Sequence, residues 1–271
     1  MKPILILSVP RSGTSWVTQS LGACPNAVPR SEWATQAWIQ NTRKPIRLAM
    51  TDPVGLANDA ALTDDVPLGY EEAWGRLQEA LTPAPDPFVV VAKENNPFFL
   101  PWLESEGVTP DVHLVFLLRH PAGVAHSWDK RGWTAKFHDV YDELPRMMAR
   151  AFQSARLCAD RMGLGYREVW YEDLCMDPET EFRALCDDLG LLWTDNVRMT
   201  VRQLSSIRNK NQSGMFDVRR FSRGVAHRWR RKVAPEDADK AVGAWSAEGA
   251  PFDLERANPV PKPGKQKGGG K

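Results

Sequence analysis

Four short apolar runs along the chain predict β-strands, and polar or helical patterns separate them. The runs are "ILILSV" (4–9), "FVVVA" (88–92), "HLVFLL" (113–118) and "GYREVWY" (165–171). The first three are almost continuously apolar, as expected for strands that are buried on both faces of a parallel sheet. We therefore expect an α/β fold in which helices flank a parallel sheet and the crossovers are right-handed.

Two of the intervening helices have clear end signals. Between residues 179 and 189, apolar side chains recur at helical spacing, and the stretch is preceded by Asp177-Pro178 and followed by Gly190. An aspartate cap, a proline in the first turn and a glycine after the last turn are typical of a complete helix. The same apolar spacing recurs after Pro235 and predicts a last helix.

The remaining pattern predicts one domain. A chain of 271 residues, of which 42% are hydrophobic, is long enough for a single substantial core. We assign residues 1–258 to this domain and the Pro-, Gly- and Lys-rich residues 259–271 to a disordered tail. Residues 30–86 show no clear strand, and we expect helices there, laid over the ligand-binding end of the sheet.

Composition and charge exclude several classes of function. The net charge is only +1, so no general field attracts nucleic acid or an anionic membrane. The first apolar run is too short for a signal peptide, and no later run is long enough to span a membrane, so we expect a cytoplasmic protein without membrane insertion. The four cysteines lack metal-ligand spacing, so we expect buried thiols and no metal site.

The first strand leads through "PRSGTSW" (10–16) into a helical pattern, an arrangement typical of phosphate-binding loops. Gly13 allows backbone N–H groups to converge at the helix start, and Ser15 and Arg11 add a hydroxyl and a forked cation. Thr14 occupies the position of the usual P-loop lysine. Since phosphoryl transfer usually needs that lysine and magnesium, the substitution favours a phosphosulfate donor.

Two motifs together resemble the sulfotransferases that use 3′-phosphoadenosine 5′-phosphosulfate (PAPS). "PRSGTSWV" resembles their 5′-phosphosulfate loop, and "FLLRHPAGVAHSW" (116–128) resembles their 3′-phosphate motif. The resemblance implies that Arg119 and Ser127 hold the 3′-phosphate, and a strand end followed by a helix would let the two side chains converge. From the loop it implies donor binding by Arg11, Ser12, Gly13, Thr14, Ser15 and Trp16.

Two aromatic residues are candidates for contact with the adenine of the donor. "YEDL" follows a predicted strand as in the family, and the resemblance places Tyr171 beside the adenine. Trp16 occupies a position that often lies near the adenine as well. Packing of its helix against the sheet is an equally good interpretation, because tryptophan is usually buried.

The late basic segment "FSRGVAHRWRRK" (221–232) resembles the family loop that closes over the 3′-phosphate. Arg223, Gly224 and Trp229 match that loop, whereas Ser222 stands where the family usually has a basic residue. Basic and aromatic residues in alternation can also bind nucleic acid. The net charge of +1 argues against that interpretation, and we expect no nucleic-acid partner.

Residues after the second strand and after the first helix are candidates for the chemistry of transfer. The resemblance implies that Lys93 faces the bridging oxygen of the donor. Asn95 stands where cytosolic aryl and steroid sulfotransferases have a histidine base, so that base is absent. Glu32 corresponds to the glutamate base of glycan sulfotransferases, and Glu94 is a less favoured alternative. For the five histidines a structural role is the better interpretation.

The sequence therefore predicts a PAPS-dependent sulfotransferase that acts on a hydroxyl of a small-molecule, lipid or glycoside acceptor. Two alternatives stay open: a magnesium-dependent P-loop kinase that uses ATP, and a non-enzymatic nucleotide- or RNA-binding module. The segments that would line the acceptor pocket carry no recognisable motif, and the sequence gives no indication of the oligomeric state.

Overall fold

The computed structural model describes residues 1–30, 75, 78, 79, 81–105, 107–133, 137–206 and 222–249. These residues form a five-stranded sheet in the order β2-β3-β1-β4-β5, and every pair of neighbouring strands is parallel. The strands are β1 (Ile4–Leu7), β2 (Ala27–Pro29), β3 (Val89–Glu94), β4 (His113–Leu118) and β5 (Tyr166–Trp170). The predicted α/β fold with a parallel sheet is thereby confirmed.

Helices connect and cover the strands. In the described segments they are α1 (Thr14–Leu21), α2 (Phe99–Ser105), α3 (Pro121–Asp129), α4 (Val140–Arg161), α5 (Tyr171–Met176), α6 (Pro178–Asp188), α7 (Asp195–Ser206), α8 (Ser222–Ala226) and α9 (Pro235–Ala247), with a 3₁₀ turn at Arg228–Arg231. The predicted helix after Asp177 is α6, where the Asp177 side chain accepts a hydrogen bond from the Thr180 N–H.

The sheet is buried on both faces because successive strand residues point to opposite sides. Leu5 and Leu7 of β1 belong to a core with α3, α4 and α9, and Ile4 and Ile6 belong to a second core with α1, α6 and α7. All four side chains are at most 2% exposed. This double burial explains why β1, β3 and β4 are recognisable as apolar runs.

The strand order determines where a ligand can bind. After β1 the chain passes through α1 towards β2 and β3, whereas after β4 it passes through α3 and α4 to β5 on the other side. Neighbouring strands whose connections leave in opposite directions open a crevice at their carboxyl ends, and open α/β folds bind ligands there. The loop after β1 and the residues after β4 both border this crevice.

The described residues test several expectations from the sequence only in part. β2 was missed by the sequence analysis, because its three residues are half-buried or exposed and form no apolar run. Most of the 30–86 segment and the whole 259–271 tail lie outside the described residues.

Among the described helices, none has the length and apolar character needed to cross a bilayer. All four cysteines are buried thiols, as expected.

Candidate active site

The loop between β1 and α1 is held in a strained shape by contacts with β4. The Ser8 hydroxyl donates a hydrogen bond to the Leu117 carbonyl at 2.8 Å. Gly13 has φ 100° and Arg11 has φ 76°, and such positive values are uncommon for any residue except glycine. Because α1 begins directly after Gly13, the N–H groups of Thr14 and Ser15 have no carbonyl to bond to within the helix, whereas the Trp16 N–H donates to the Gly13 carbonyl at 3.0 Å. The loop therefore has the backbone shape expected of an anion cradle, and its binding of an anion stays a prediction.

Two aromatic rings support this loop from inside the protein. A Cβ atom on Gly13 would lie 2.6 Å from Cδ2 of Tyr171, so only glycine fits against that ring. Trp16 makes edge contacts with Tyr171 and Phe182, at centroid distances of 5.9 and 5.2 Å. Trp16 and Tyr171 are both 0% exposed. Both rings are packed inside the protein, Trp16 against Tyr171 and Phe182 and Tyr171 against Gly13, and contact of either ring with an adenine stays a prediction.

The end of β3 supplies two polar contacts to the first turn of α1. The Lys93 ammonium donates a hydrogen bond to the Ser15 hydroxyl at 3.0 Å, and the Thr14 hydroxyl donates to the Asn95 side-chain oxygen at 2.9 Å. Glu94 between them is 0% exposed and accepts a hydrogen bond from the Asn95 N–H at 2.8 Å. The cation at the cradle therefore comes from the neighbouring strand, and a hydroxyl occupies the position of the P-loop lysine.

Two arginines and a hydroxyl meet at the crevice between β1 and β4. Arg119, directly after β4, donates a hydrogen bond to the Arg11 carbonyl, and its guanidinium carbon lies 4.6 Å from the Tyr171 ring centroid. The Arg11 side chain turns towards α3, where Nε donates to the Ser127 hydroxyl at 3.0 Å and the guanidinium lies 5.8 Å from the Trp133 ring. The structure therefore brings together the three side chains on which the predicted phosphate contacts depend.

The late basic segment is attached beside these arginines. The Ser222 hydroxyl and Nε of Arg223 donate hydrogen bonds of 3.0 and 2.8 Å to backbone carbonyls at the end of α5. Trp229 stacks on His120, with ring centroids 4.2 Å apart and planes 21° apart. Gly224 lies in α8 between the two anchor points. Ser222, which replaces the family's basic residue, therefore fixes the segment to the body of the protein.

Two buried titratable groups lie next to Arg119. Burial, with smaller contributions from Arg230, His227 and Arg119, lowers the pKa of His120 to about 3, so this imidazole is neutral. Burial also raises the pKa of Glu172 to about 7, although the nearby Arg119 acts in the opposite direction. The sequence analysis did not single out Glu172. Its only signal is an acidic residue two positions after β5, the strand beside β4.

The candidate bases and the remaining loop serine are placed less completely. Glu32 lies in residues 31–74, which fall outside the described part of the chain. The Glu94 carboxylate is used at least in part to hold the turn after β3. Ser12 is 0% exposed, and its backbone N–H donates to the Val9 carbonyl at 3.2 Å. The catalytic and donor-binding roles of these residues stay predictions.

Comparison with known proteins gives a family match and several solved structures of similar fold. The model of the sulfotransferase family matches residues 3–195. Among solved structures, the sulfotransferase domain from the curacin biosynthetic pathway aligns with a TM-score of 0.55 at 17% identity, covering 90% of this chain and 97% of its own. The sulfotransferase domain of the olefin synthase from Synechococcus PCC 7002 gives a TM-score of 0.50 at 19% identity, covering 93% and 95% of the two chains.

A mammalian structure shares the same fold. Mouse sulfotransferase SULT7A1, solved in complex with PAP, aligns with a TM-score of 0.51 at 13% identity, covering 94% of this chain and 87% of its own. At these identities the likeness to solved structures concerns the fold, whereas the family match extends over most of the sequence. On that match, the chain belongs to the sulfotransferase family.

Proposed function

We propose that the protein transfers the sulfuryl group of PAPS to a hydroxyl group of a small-molecule, lipid or glycoside acceptor. One observation carries the proposal: the cradle has Thr14 in place of the P-loop lysine and receives its cation, Lys93, from the neighbouring strand. A mouse sulfotransferase of the same fold has been solved with PAP, which is adenosine 3′,5′-bisphosphate, the product that PAPS leaves after transfer. That relative supports PAPS as the donor.

The two ends of the donor match two groups of residues. The N–H groups of Thr14 and Ser15 at the start of α1, with the hydroxyl of Ser15, suit the 5′-phosphosulfate, because helix N-termini favour anions. The Thr14 hydroxyl itself is bonded to Asn95. Arg119 and Ser127 suit the 3′-phosphate, since a guanidinium and a hydroxyl at one site offer charge-assisted hydrogen bonds. Arg11 connects its loop to the second group. Its carbonyl accepts a hydrogen bond from Arg119, and its Nε donates one to the Ser127 hydroxyl.

Transfer requires a cation on one side of the sulfur and a base on the other. As the acceptor oxygen bonds to sulfur, the bond from sulfur to the bridging oxygen breaks, and negative charge develops on the departing bisphosphate. Lys93 would stabilise that charge as a protonated ammonium. We assign Glu32, with Glu94 as the alternative, to accept the proton of the acceptor hydroxyl, because an amide such as Asn95 has no useful basicity.

Neither alternative function is favoured by the geometry. A P-loop kinase would use a lysine at the position where Thr14 is hydrogen-bonded to Asn95. A nucleic-acid module would need aromatic rings available for base stacking. Trp229 is only 6% exposed and is stacked on His120, so its ring is already used within the protein.

Turnover tests the proposal directly. The purified protein would be incubated with sulfur-labelled PAPS and separate sets of phenols, aliphatic alcohols, glycosides and hydroxylated lipids. The proposal predicts label transfer in at least one set with an equal amount of PAP formed and loss of transfer in Lys93→Ala. Transfer should be retained in Lys2→Ala, because Lys2 precedes β1 and lies at the amino ends of the strands. Phosphorylation of an acceptor from ATP and magnesium, without transfer from PAPS, would establish the kinase alternative instead.

A further inference from the structure

Glu172 is a buried carboxyl group for which the proposed chemistry has no role. It is the second residue of α5 and is 0% exposed. Oε1 accepts a hydrogen bond of 3.2 Å from the His120 N–H, and the backbone N–H of Glu172 itself also favours the ionised form. Oε2 is buried and has no hydrogen-bond partner among the described residues. An ionised carboxylate normally accepts several hydrogen bonds, so this environment compensates its charge poorly.

The compensating charge for Glu172 is Arg119, but the two side chains do not form an ion pair. Arg119 donates instead to the Arg11 carbonyl, and its own Nε is buried without an acceptor among the described residues. The guanidinium therefore acts on Glu172 only through space. It is also the group that we assign to the 3′-phosphate of the donor, so one cation would serve two anions.

The other charges around Glu172 do not relieve this competition. Asp173, the next residue of α5, adds negative charge, and His120 at the start of α3 is neutral. From α8, Arg223 reaches the far end of α5, where its Nε is bonded to a backbone carbonyl. Burial already raises the pKa of Glu172 to about 7, so both protonation states are populated near neutral pH.

We propose that Glu172 takes up a proton from solvent when the 3′-phosphate of the donor binds at Arg119, and returns it when the bisphosphate leaves. The inference rests on the proposed function. A phosphate dianion at Arg119 withdraws the attraction that keeps the carboxylate ionised, and it adds a repulsive charge nearby. Protonation of one carboxylate oxygen removes the repulsion and leaves the full charge of Arg119 to the phosphate.

The coupling has a functional consequence for the choice of nucleotide. Only a ligand with a 3′-phosphate competes for Arg119, so the proton uptake distinguishes adenosine 3′,5′-bisphosphate from AMP. By linkage, the affinity for the bisphosphate decreases as the pH rises above the pKa of Glu172, by at most about tenfold per pH unit for one proton. Glu172 is thus a positioning residue, which acts on the donor through Arg119.

Calorimetry in buffers of different ionisation enthalpy measures the proton directly. At about pH 7.5, above the second pKa of a phosphate monoester near 6, we expect net proton uptake with PAP and none with AMP. Glu172→Gln keeps a side-chain oxygen for the His120 N–H but cannot titrate, so the uptake and the pH dependence of PAP affinity should disappear. Glu168→Gln, on half-exposed β5, is the matched control and should retain both.

The possible results separate this inference from the donor assignment. PAP binding without proton uptake, or with the same uptake in Glu172→Gln, overturns the role of Glu172 and leaves PAPS as the donor. Failure of PAP to bind overturns both. If Glu172→Gln does not fold, proton uptake by the wild-type protein is sufficient to test the proposal. Equal proton uptake with PAP and AMP, or no uptake with either, contradicts it.

Discussion

At the scale of single residues, Arg119 is the side chain on which most of the site converges. It donates to the Arg11 carbonyl in the loop, stacks over the buried Tyr171 ring and acts through space on the Glu172 carboxyl. Ser127, by contrast, is joined to the site only through its hydroxyl contact with Arg11 among the contacts described. The two residues assigned to the 3′-phosphate should therefore respond differently to substitution.

Ser127→Ala should weaken PAP binding and hardly change AMP binding, because it removes one hydroxyl donor near the 3′-phosphate. Arg119→Ala should cost more PAP affinity, roughly 1.5–3 kcal/mol or about ten- to a hundredfold, as expected for a charge-assisted contact. It should also reduce AMP affinity, since the loop loses a supporting hydrogen bond. Calorimetric titration of both ligands measures this, and equal losses for PAP and AMP in Ser127→Ala would show that Ser127 only supports the fold.

The proton acceptor can be assigned by two matched substitutions. Glu32→Gln should lower kcat on the order of 10²- to 10⁴-fold, the usual contribution of a general base, and leave PAP affinity unchanged. Glu94→Gln should have a smaller effect, because its amide oxygen can still accept the hydrogen bond from the Asn95 N–H. Loss of turnover only in Glu94→Gln would move the base to that residue. If neither variant loses activity, the acceptor is a phenol acidic enough to react without a base.

Glu172 should also make the free energy of unfolding of the unliganded protein depend on pH. Its pKa in the folded state, about 7, lies above the ordinary value of 4.5. Between these pH values the folded state therefore binds more protons than the unfolded state. The raised pKa contributes fully to the free energy of unfolding below about pH 4.5, and this contribution is lost as the pH rises to 7. Urea unfolding of the wild type and Glu172→Gln over this range should show the difference. A constant difference between the two proteins at every pH would refute the shifted titration.

At the scale of elements, the junction of β1 and α1 depends on its contact with the start of α5. Gly13→Ala places a Cβ atom 2.6 Å from the Tyr171 ring at φ +100°, so the loop or the ring must move and PAP affinity should fall. Gly163→Ala is the matched control, because φ is +67° there and no heavy atom lies within 4 Å. It should lose stability by about 1 kcal/mol and bind PAP normally. Normal PAP binding by Gly13→Ala would contradict the proposed role of this loop in binding the donor.

The elements also show what the sequence could and could not predict. β1, β3 and β4 were predictable because burial on both faces requires apolar runs. The resemblance placed Arg119 after a strand and Ser127 on the following helix, and β4 and α3 have these positions. β2 was not predictable, since an edge strand of three residues leaves no pattern. The buried positions of Tyr171 and Glu172 were not predictable either, because they depend on how α5 packs against the loop and α3.

At the scale of the whole molecule, anion binding has to arise from local geometry. The chain has a net charge of only +1. Among the described residues, the cations Arg11, Lys93 and Arg119 lie at or beyond the carboxyl ends of the three neighbouring strands β1, β3 and β4. Such a site should discriminate strongly between anionic nucleotides by the position of their phosphates. The order of nucleotide affinities therefore tests the account more directly than affinity for any one ligand.

Thermal unfolding in the presence of PAP, AMP and ATP with magnesium is the most direct test of the central claim that this crevice binds a 3′-phosphoadenosine nucleotide. A ligand at a hundred times its Kd stabilises the native state by about 2.7 kcal/mol, which gives a measurable increase in Tm. We expect a clear increase with PAP, a smaller one with AMP at the same concentration, and no magnesium-dependent increase with ATP. An increase with ATP and magnesium alone, and none with PAP, would contradict it.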